Sequence, residues 1–244
     1  METFTGWNKA QARLIGKGNT AEVYTCGEDR VCKLFVAGYP EDAARQEFEN
    51  AERMASLGLP VPACHAFLKA DNRYGIVYER IDGGDLLQVL CAAQDVDKAA
   101  ETLARLHTQI LNCCAPELRS YKDFIRSVAA GRDPALLQKL EALPDGDVLC
   151  HGDFHPGNVL FDRDGAARVI DFMNLCKGPR EYDIARSYYL IGFSPLPEDM
   201  DGRDELERLR VELARRYLAQ MGVEVRQLEP YLEVVERCHR YEKL

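Results

Sequence analysis

The most constraining feature of this chain is the stretch from His151 to Asn174, HGDFHPGNVLFDRDGAARVIDFMN. Leu149-Cys150 before it and Val159-Leu160-Phe161 within it read as short strands, being apolar and β-prone. Asp153 and Asn158 therefore fall five residues apart on one loop between strands. Asp164-Gly165 is a hairpin signal, and Asp171 ends the apolar run that follows it over residues 166–170. The hairpin is expected to return Asp171 beside Asp153 and Asn158. Gly152 and Gly157 supply the backbone angles of a tight loop, and Pro156 stiffens it.

Phosphoryl transfer needs such a set. One carboxylate must orient an attacking hydroxyl and accept its proton, while an amide oxygen and a second carboxylate hold Mg²⁺, a hard cation that takes oxygen ligands. Asp153 fits the first role, and Asn158 and Asp171 the second. The same residues admit another reading, because His151, Asp153 and His155 alternate as the ligands of a metallohydrolase would. A zinc site uses neutral imidazoles at defined spacing. The remaining histidines, His65, His107 and His239, are distant in sequence, and that reading leaves Asn158 without a task.

The segment HGDFHPGN, residues 151–158, resembles the catalytic loop of the aminoglycoside phosphotransferase and choline kinase family, small-molecule relatives of protein kinases, whose own form is H-R-D-x-x-x-x-N. IDF at residues 170–172 is similar to the family's metal-binding Asp motif, the counterpart of D-F-G. Met173 stands where the D-F-G glycine would be, which argues against a protein kinase with a toggling activation segment. The resemblance implies an α+β, bilobal protein-kinase-like fold: a small antiparallel β lobe over residues 1–78, a hinge at 79–84 and a larger helical lobe over 85–244, with nucleotide bound between the lobes.

The resemblance extends toward the N-terminus. Residues 12–36 read as three antiparallel strands, with Gly16-Lys-Gly18 ahead of the β-prone segment 20–25. A Rossmann fingerprint would open a helix there, and a Walker A loop would need G-x-x-x-x-G-K-[ST], which is absent. The bland reading is an ordinary hairpin. The kinase loop G-x-G-x-x-G-x-V fits, with Ala21 replacing its third glycine. By that resemblance Gly16 and Gly18 let backbone N–H groups approach phosphates, Val23 covers the adenine, and Val31 joins the nucleotide-binding set. Val-Cys-Lys33-Leu resembles V-A-I-K, which makes Lys33 the phosphate lysine rather than an edge-strand surface lysine. Its partner should be a glutamate on the helix from Pro40 to about Leu57. Glu47, Glu49 and Glu52 compete; by resemblance to the family, the spacing to Leu59-Pro-Val-Pro62 favours Glu47, with Glu49 the fallback. A strand over 73–80 leads to the hinge, where the resemblance assigns adenine recognition to the Glu79 carbonyl and the Ile81 N–H.

Helices are expected over residues 86–93, 96–110, 116–130 and 134–143, in a segment that residues 177–186 lead into and that runs through about Ile191, and over 204–220 and 225–241. His107 reads as packing. Asp183 resembles the family's buried aspartate that hydrogen-bonds the catalytic loop, with His151 also standing behind the loop, against the bland alternative of an acid at a helix start. Glu224, Glu229, Glu233 and Glu236 would suit a cationic acceptor or simply a solvated face.

Bulk properties fit one enzyme of this kind. With 244 residues the chain can bury a sizeable core. A net charge of −9 disfavours nucleic acid as partner. No apolar run nears the roughly 20 residues of a membrane span, and the first residues lack a signal peptide's apolar core. The nine cysteines are scattered without C-x-x-C, as buried free thiols in a reducing cytoplasm would be. The expectation is a cytoplasmic ATP-dependent kinase, with GTP the alternative donor, using Mg²⁺ and a small hydroxylated acceptor: an amino alcohol, amino sugar, sugar or aminoglycoside-like molecule. Residues 18–24 and 74–80 resemble an uncharacterised bacterial branch of the family more than its resistance enzymes. The competing class is a nucleotide-binding regulatory module or pseudokinase. The sequence sets no oligomeric state.

Overall fold

The computed structural model describes residues 7–197 and 199–242. Its strands are β1 (Leu14–Lys17), β2 (Ala21–Thr25), β3 (Arg30–Phe35), β4 (Cys64–Ala70), β5 (Arg73–Glu79), β6 (Val148–Cys150), β7 (Val159–Phe161), β8 (Ala167–Val169) and β9 (Cys176–Gly178). Its helices are α1 (Glu41–Ser56), α2 (Leu86–Ala93), α3 (Val96–Leu111), α4 (Tyr121–Ala129), α5 (Pro134–Ala142), α6 (Arg180–Gly192), α7 (Arg203–Met221) and α8 (Val225–Glu242). They fall into two compact units. One takes the chain up to Gly83 together with Leu160–Met173, and the other takes Gly84–Val159 and the chain from Asn174.

The first unit is built on an antiparallel sheet in the order β1-β2-β3-β5-β4. Tyr24, Cys32, Leu34, Ala66, Leu68 and Val77 form a core against which Trp7 packs, its indole N–H donating to the Thr25 carbonyl at 3.0 Å. Helix α1 carries a second apolar stripe. Ala44, Phe48, Ala51 and Met54 are buried on it at helical spacing, and Phe48 meets the Phe67 ring edge-on. Burying each large side chain of this kind contributes about 1.5–3 kcal/mol. Strand β4 is absent from the sequence reading. Ala66 and Leu68 join the core while Phe67 meets α1, so three consecutive apolar residues blur the period-two pattern.

Residues 160–173 join this unit through a hairpin. The Asp162 N–H donates to the Ala166 carbonyl, and the Asp162 side chain accepts the N–H groups of Asp164 and Ala166. The Val169 N–H donates to the Pro60 carbonyl, and Asp82 pairs with Arg163. Gly83 passes so close to Phe161 that a Cβ there would lie 2.0 Å from its carbonyl oxygen, which excludes any side chain.

In the second unit α6 is buried on nearly every side and packs against α7 and α8, while α3 packs against α7. Strand β6 pairs antiparallel with β9, setting Cys150 opposite Cys176. One expected helix is shorter than its periodicity predicts. The helix expected over 116–130 begins only at Tyr121, where Ser120 and Asp123 form a reciprocal capping box. Before that point the backbone is used otherwise: Ala115 N–H donates to Asp147, and Arg119 accepts from Lys177 N–H. Strand β9, Cys-Lys-Gly, lacks the apolar, β-prone run that made the equally short β6 and β7 readable.

Candidate active site

In the first unit, α1 and β3 bring Lys33, Glu47 and Asp171 together. Lys33 Nζ donates to Glu47 Oε1 at 2.6 Å and to Asp171 Oδ1 at 3.2 Å. Glu47 is buried while Glu49 is exposed, so Glu47 is the glutamate that meets Lys33. The Tyr78 hydroxyl also donates to Glu47 Oε1, at 3.4 Å, whereas buried Glu47 Oε2 has no hydrogen-bond partner among the described residues. Burial alone would lower the Lys33 pKa, but Glu47 and Asp171 outweigh it and hold the ammonium above its ordinary value. Burial pushes the Glu47 carboxyl up, and the Lys33 charge only partly offsets it. Asp171 adopts a left-handed backbone, with φ 68°. The next carbonyl, that of Phe172, accepts from Asn50 Nδ2 at 2.7 Å, so α1 holds this segment directly through Asn50, while Glu47, one turn earlier, reaches it only by way of Lys33.

The other nucleotide candidates lie on the same sheet or at its end. Gly16 and Lys33 both pair with Val23, on the two flanking strands. The Gly18 N–H closes the turn by donating to the Ala21 carbonyl at 2.8 Å. Val31 lies opposite Tyr78, and Glu79 ends β5 opposite Arg30. Next to the half-buried Ile81, Arg80 donates its N–H to the Asp29 carbonyl. Thr20 and Tyr39 hydroxyls reach the Met173 thioether at 3.6 and 3.8 Å, so the residue in place of the D-F-G glycine is a packing partner of the glycine loop.

In the second unit the loop of residues 151–158 is fixed chiefly through its backbone. Buried Asp183 accepts the N–H of His151 at 2.7 Å and of Gly152 at 2.9 Å. Its Oδ2 also lies 2.9 Å from His107 Nε2, and His107 Nδ1 lies 2.5 Å from the Tyr217 hydroxyl. Burial alone would raise the Asp183 pKa; the His107 hydrogen bond, the two imidazoles and the Gly152 N–H reverse this and hold it below its ordinary value. Gly152 has φ +75°, and a Cβ there would meet the Asn174 carbonyl oxygen at 2.3 Å, so glycine is required. Asn158 Nδ2 donates to the Asp153 carbonyl at 2.8 Å and reaches Asp153 Oδ2 at 3.4 Å. The Asp153 N–H donates to His151 Nδ1, and the Gly157 N–H to His155 Nδ1.

Each unit by itself carries an oxygen donor of the kind Mg²⁺ takes: in the second, Asn158 turns its amide nitrogen toward the Asp153 carbonyl and its amide oxygen away from it, and in the first, Asp171 carries a carboxylate that meets Lys33. Mg²⁺ is commonly held by one or two such groups plus substrate phosphates. Among the described residues no three His, Cys, Asp or Glu side chains gather as a metal site, so His151, Asp153 and His155 do not form the hydrolase cluster. Sequence reasoning missed Asn50, Arg186, Tyr217 and Glu242. Two of them left a trace, as polar residues on buried helix faces: Asn50 three after Glu47, and Arg186 three after Asp183.

Solved structures share this architecture at low sequence identity. An aminoglycoside-3′-phosphotransferase of type VIII matches with a TM-score of 0.65 and 19% identity over 93% of each chain. Aminoglycoside phosphotransferase APH(3″)-Id from Streptomyces rimosus, in complex with ADP and streptomycin, matches with a TM-score of 0.65 and 18% identity over 95% of this chain and 94% of that one. The streptomycin–ATP–APH(2″)-IIa ternary complex matches with a TM-score of 0.60 and 16% identity over 93% and 81%. The fold is thus α+β, bilobal and protein-kinase-like. The profile of the phosphotransferase enzyme family matches residues 11–231, and the chain belongs to that family, as a phosphotransferase with an alcohol group as acceptor. No curated protein matches it.

Proposed function

We propose that the protein transfers the γ-phosphoryl group of ATP to a hydroxyl of a small molecule, with Asp153 as base. The observation that carries this reading is the second-unit loop. Asp153 is held by Asn158 on one side, and its loop backbone is braced by Asp183. A carboxylate so fixed can orient an acceptor hydroxyl and take its proton as the new O–P bond forms. Lys33 would exchange its Asp171 contact for the α- and β-phosphates and keep Glu47 as partner. Gly16, Gly18, Val23, Val31, Glu79 and Ile81 would surround the nucleotide. Asn158 and Asp171 would hold Mg²⁺, which neutralises phosphate charge when bound. His151 and Asp183 keep the loop in shape.

The acceptor class is a small hydroxylated molecule such as an amino alcohol, amino sugar, sugar or aminoglycoside. Structural neighbours crystallised with streptomycin or hygromycin B support it. No helix among the described residues is long and apolar enough to cross a membrane, and a cytoplasmic location is part of the proposal. The test measures ATP consumption across a panel of such acceptors in wild type and Asp153→Ala, beside melting temperature with and without MgATP. ATP at about 100 times its dissociation constant should stabilise both proteins by about 2.7 kcal/mol. Only wild type should consume it. Stabilisation without turnover on any acceptor would favour the regulatory module, and no stabilisation would remove the nucleotide site.

A further inference from the structure

Arg186 is a buried cation that the proposed chemistry leaves without a task. It follows Asp183 by three positions on α6 and is 2% exposed. Its Nε–H donates to the Gly152 carbonyl oxygen, while Nη1 and Nη2 donate to the two carboxylate oxygens of Glu242 at 2.8 and 3.1 Å. The guanidinium lies 5.2 Å from the Phe124 ring centroid. A buried charge is costly unless paired and hydrogen-bonded, and here both conditions hold. Burial by itself would lower the Arg186 pKa; Tyr182 and Glu242 reverse this, and the Asp153 charge adds to their effect.

The geometry around Gly152 is what singles Arg186 out. Asp183 takes the Gly152 N–H, and Arg186 takes the Gly152 carbonyl. That carbonyl shares one rigid peptide plane with the Asp153 N–H, which donates to His151 Nδ1 at 3.3 Å. The plane that leads into Asp153 is therefore pinned at its oxygen by a guanidinium and at its nitrogen by an imidazole. A cation that only neutralised Glu242 would not need its third donor on this carbonyl. Lysine could not reproduce the arrangement, because a single ammonium lacks the planar fork that reaches a carboxylate and a carbonyl together.

We infer that Arg186, anchored by Glu242 in the last turn of α8, is a positioning residue for phosphoryl transfer that fixes the peptide plane aiming Asp153 and so ties α8 to the catalytic loop. The inference rests on the reading of Asp153 as the base. It is tested by MgATP consumption, with water or a panel acceptor as phosphoryl acceptor, in wild type, Arg186→Met, Arg186→Lys and Glu242→Gln, together with amide hydrogen exchange at Asp153 read by NMR. A misplacement near 1 Å costs about a hundredfold, so kcat should fall about 30–100-fold in Arg186→Met and about 3–10-fold in Glu242→Gln, with KM for MgATP within about threefold. Arg186→Lys should recover part of the loss, and the Asp153 amide should exchange faster in all three. A kcat within about twofold of wild type in Arg186→Met, or a loss confined to KM, would overturn the inference. Should Arg186→Met not fold, Glu242→Gln and Arg186→Lys carry the same criteria. If wild type binds ATP without consuming it, the phosphotransferase reading fails separately. The Asp153 amide then decides the clamp, which unchanged exchange in Glu242→Gln and Arg186→Lys would refute.

Discussion

Asp171 and Asp153, the two carboxylates central to the proposed chemistry, are placed by opposite means. In the first unit a cation meets Asp171 directly: Lys33 bridges it to buried Glu47. In the second unit the grip on Asp153 is largely on backbone, with Asp183 on the N–H groups before it, Arg186 on the carbonyl before it and Asn158 on its own carbonyl. The contrast suits the assigned tasks. A phosphate-binding cluster has to exchange partners when ligand arrives, so compensating side chains serve it. A base has to keep one orientation, so a fixed backbone suits it, with a longer contact of 3.4 Å from Asn158 Nδ2 on its carboxylate.

The comparison is broken most severely at Lys33. Lys33→Met leaves Glu47 buried without its cation, and urea unfolding should show a loss of about 3–5 kcal/mol. The Glu47 pKa, already raised by burial, rises further without Lys33. A carboxyl with a raised folded-state pKa is tolerated best when protonated, so the loss should shrink as pH falls toward 5 and grow as it rises. Adding Glu47→Gln should restore part of the stability, and a double mutant no more stable than the single would show that the two groups are not coupled.

Next in size is the acid side of the second unit. Burial alone would raise the Glu242 pKa, but His239 and Arg186 pull it down from 4.5 to about 2. A depressed carboxylate stabilises above its unfolded pKa and loses that contribution as pH falls through the folded one. About 3 kcal/mol should therefore disappear between about pH 4.5 and pH 2. The stability difference between wild type and Glu242→Gln should shrink across that window, and a constant difference would argue against the pair. Asp183→Asn sharpens the contrast on the functional side. Losing charge-assisted bonds to two loop N–H groups should cost about 2–3 kcal/mol and about 10–100-fold in kcat, with calorimetric affinity for MgATP unchanged. Lys33→Met should instead weaken that affinity. The smallest effect belongs to Asn50→Ala, which removes the hold on the Phe172 carbonyl. A shift in denaturant midpoint worth about 1 kcal/mol is expected, and none at all would make that bond dispensable.

Much of the site was legible because its chemistry is written in short, ordered segments. The loop with Asp153 and Asn158 and the hairpin before Asp171 follow from turn chemistry and β-propensity, whereas the glycine turn and Lys33 were singled out by their resemblance to kinase motifs. Glu47 was separable from Glu49 only by resemblance, since both lie on one charged helix. Burial is what divides them in the structure. His107 was read as packing, and it does pack, against Phe154, with a ring-centroid separation of 4.5 Å. Its bonds to Asp183 and Tyr217 were out of reach, because they join residues 76 and 110 positions apart.

The sequence by itself determined which groups can do chemistry and which local elements present them. Periodicity, caps and turn residues act over a few positions and leave their mark on neighbouring letters. Only the tertiary structure decided which buried charges find a partner: Lys33 pairs with Glu47, Asp183 meets the His107 ring in a hydrogen bond, and Arg186 pairs with Glu242. The cost of a buried charge depends on what lies within a few ångströms of it, and that distance is set by packing between elements far apart in the chain.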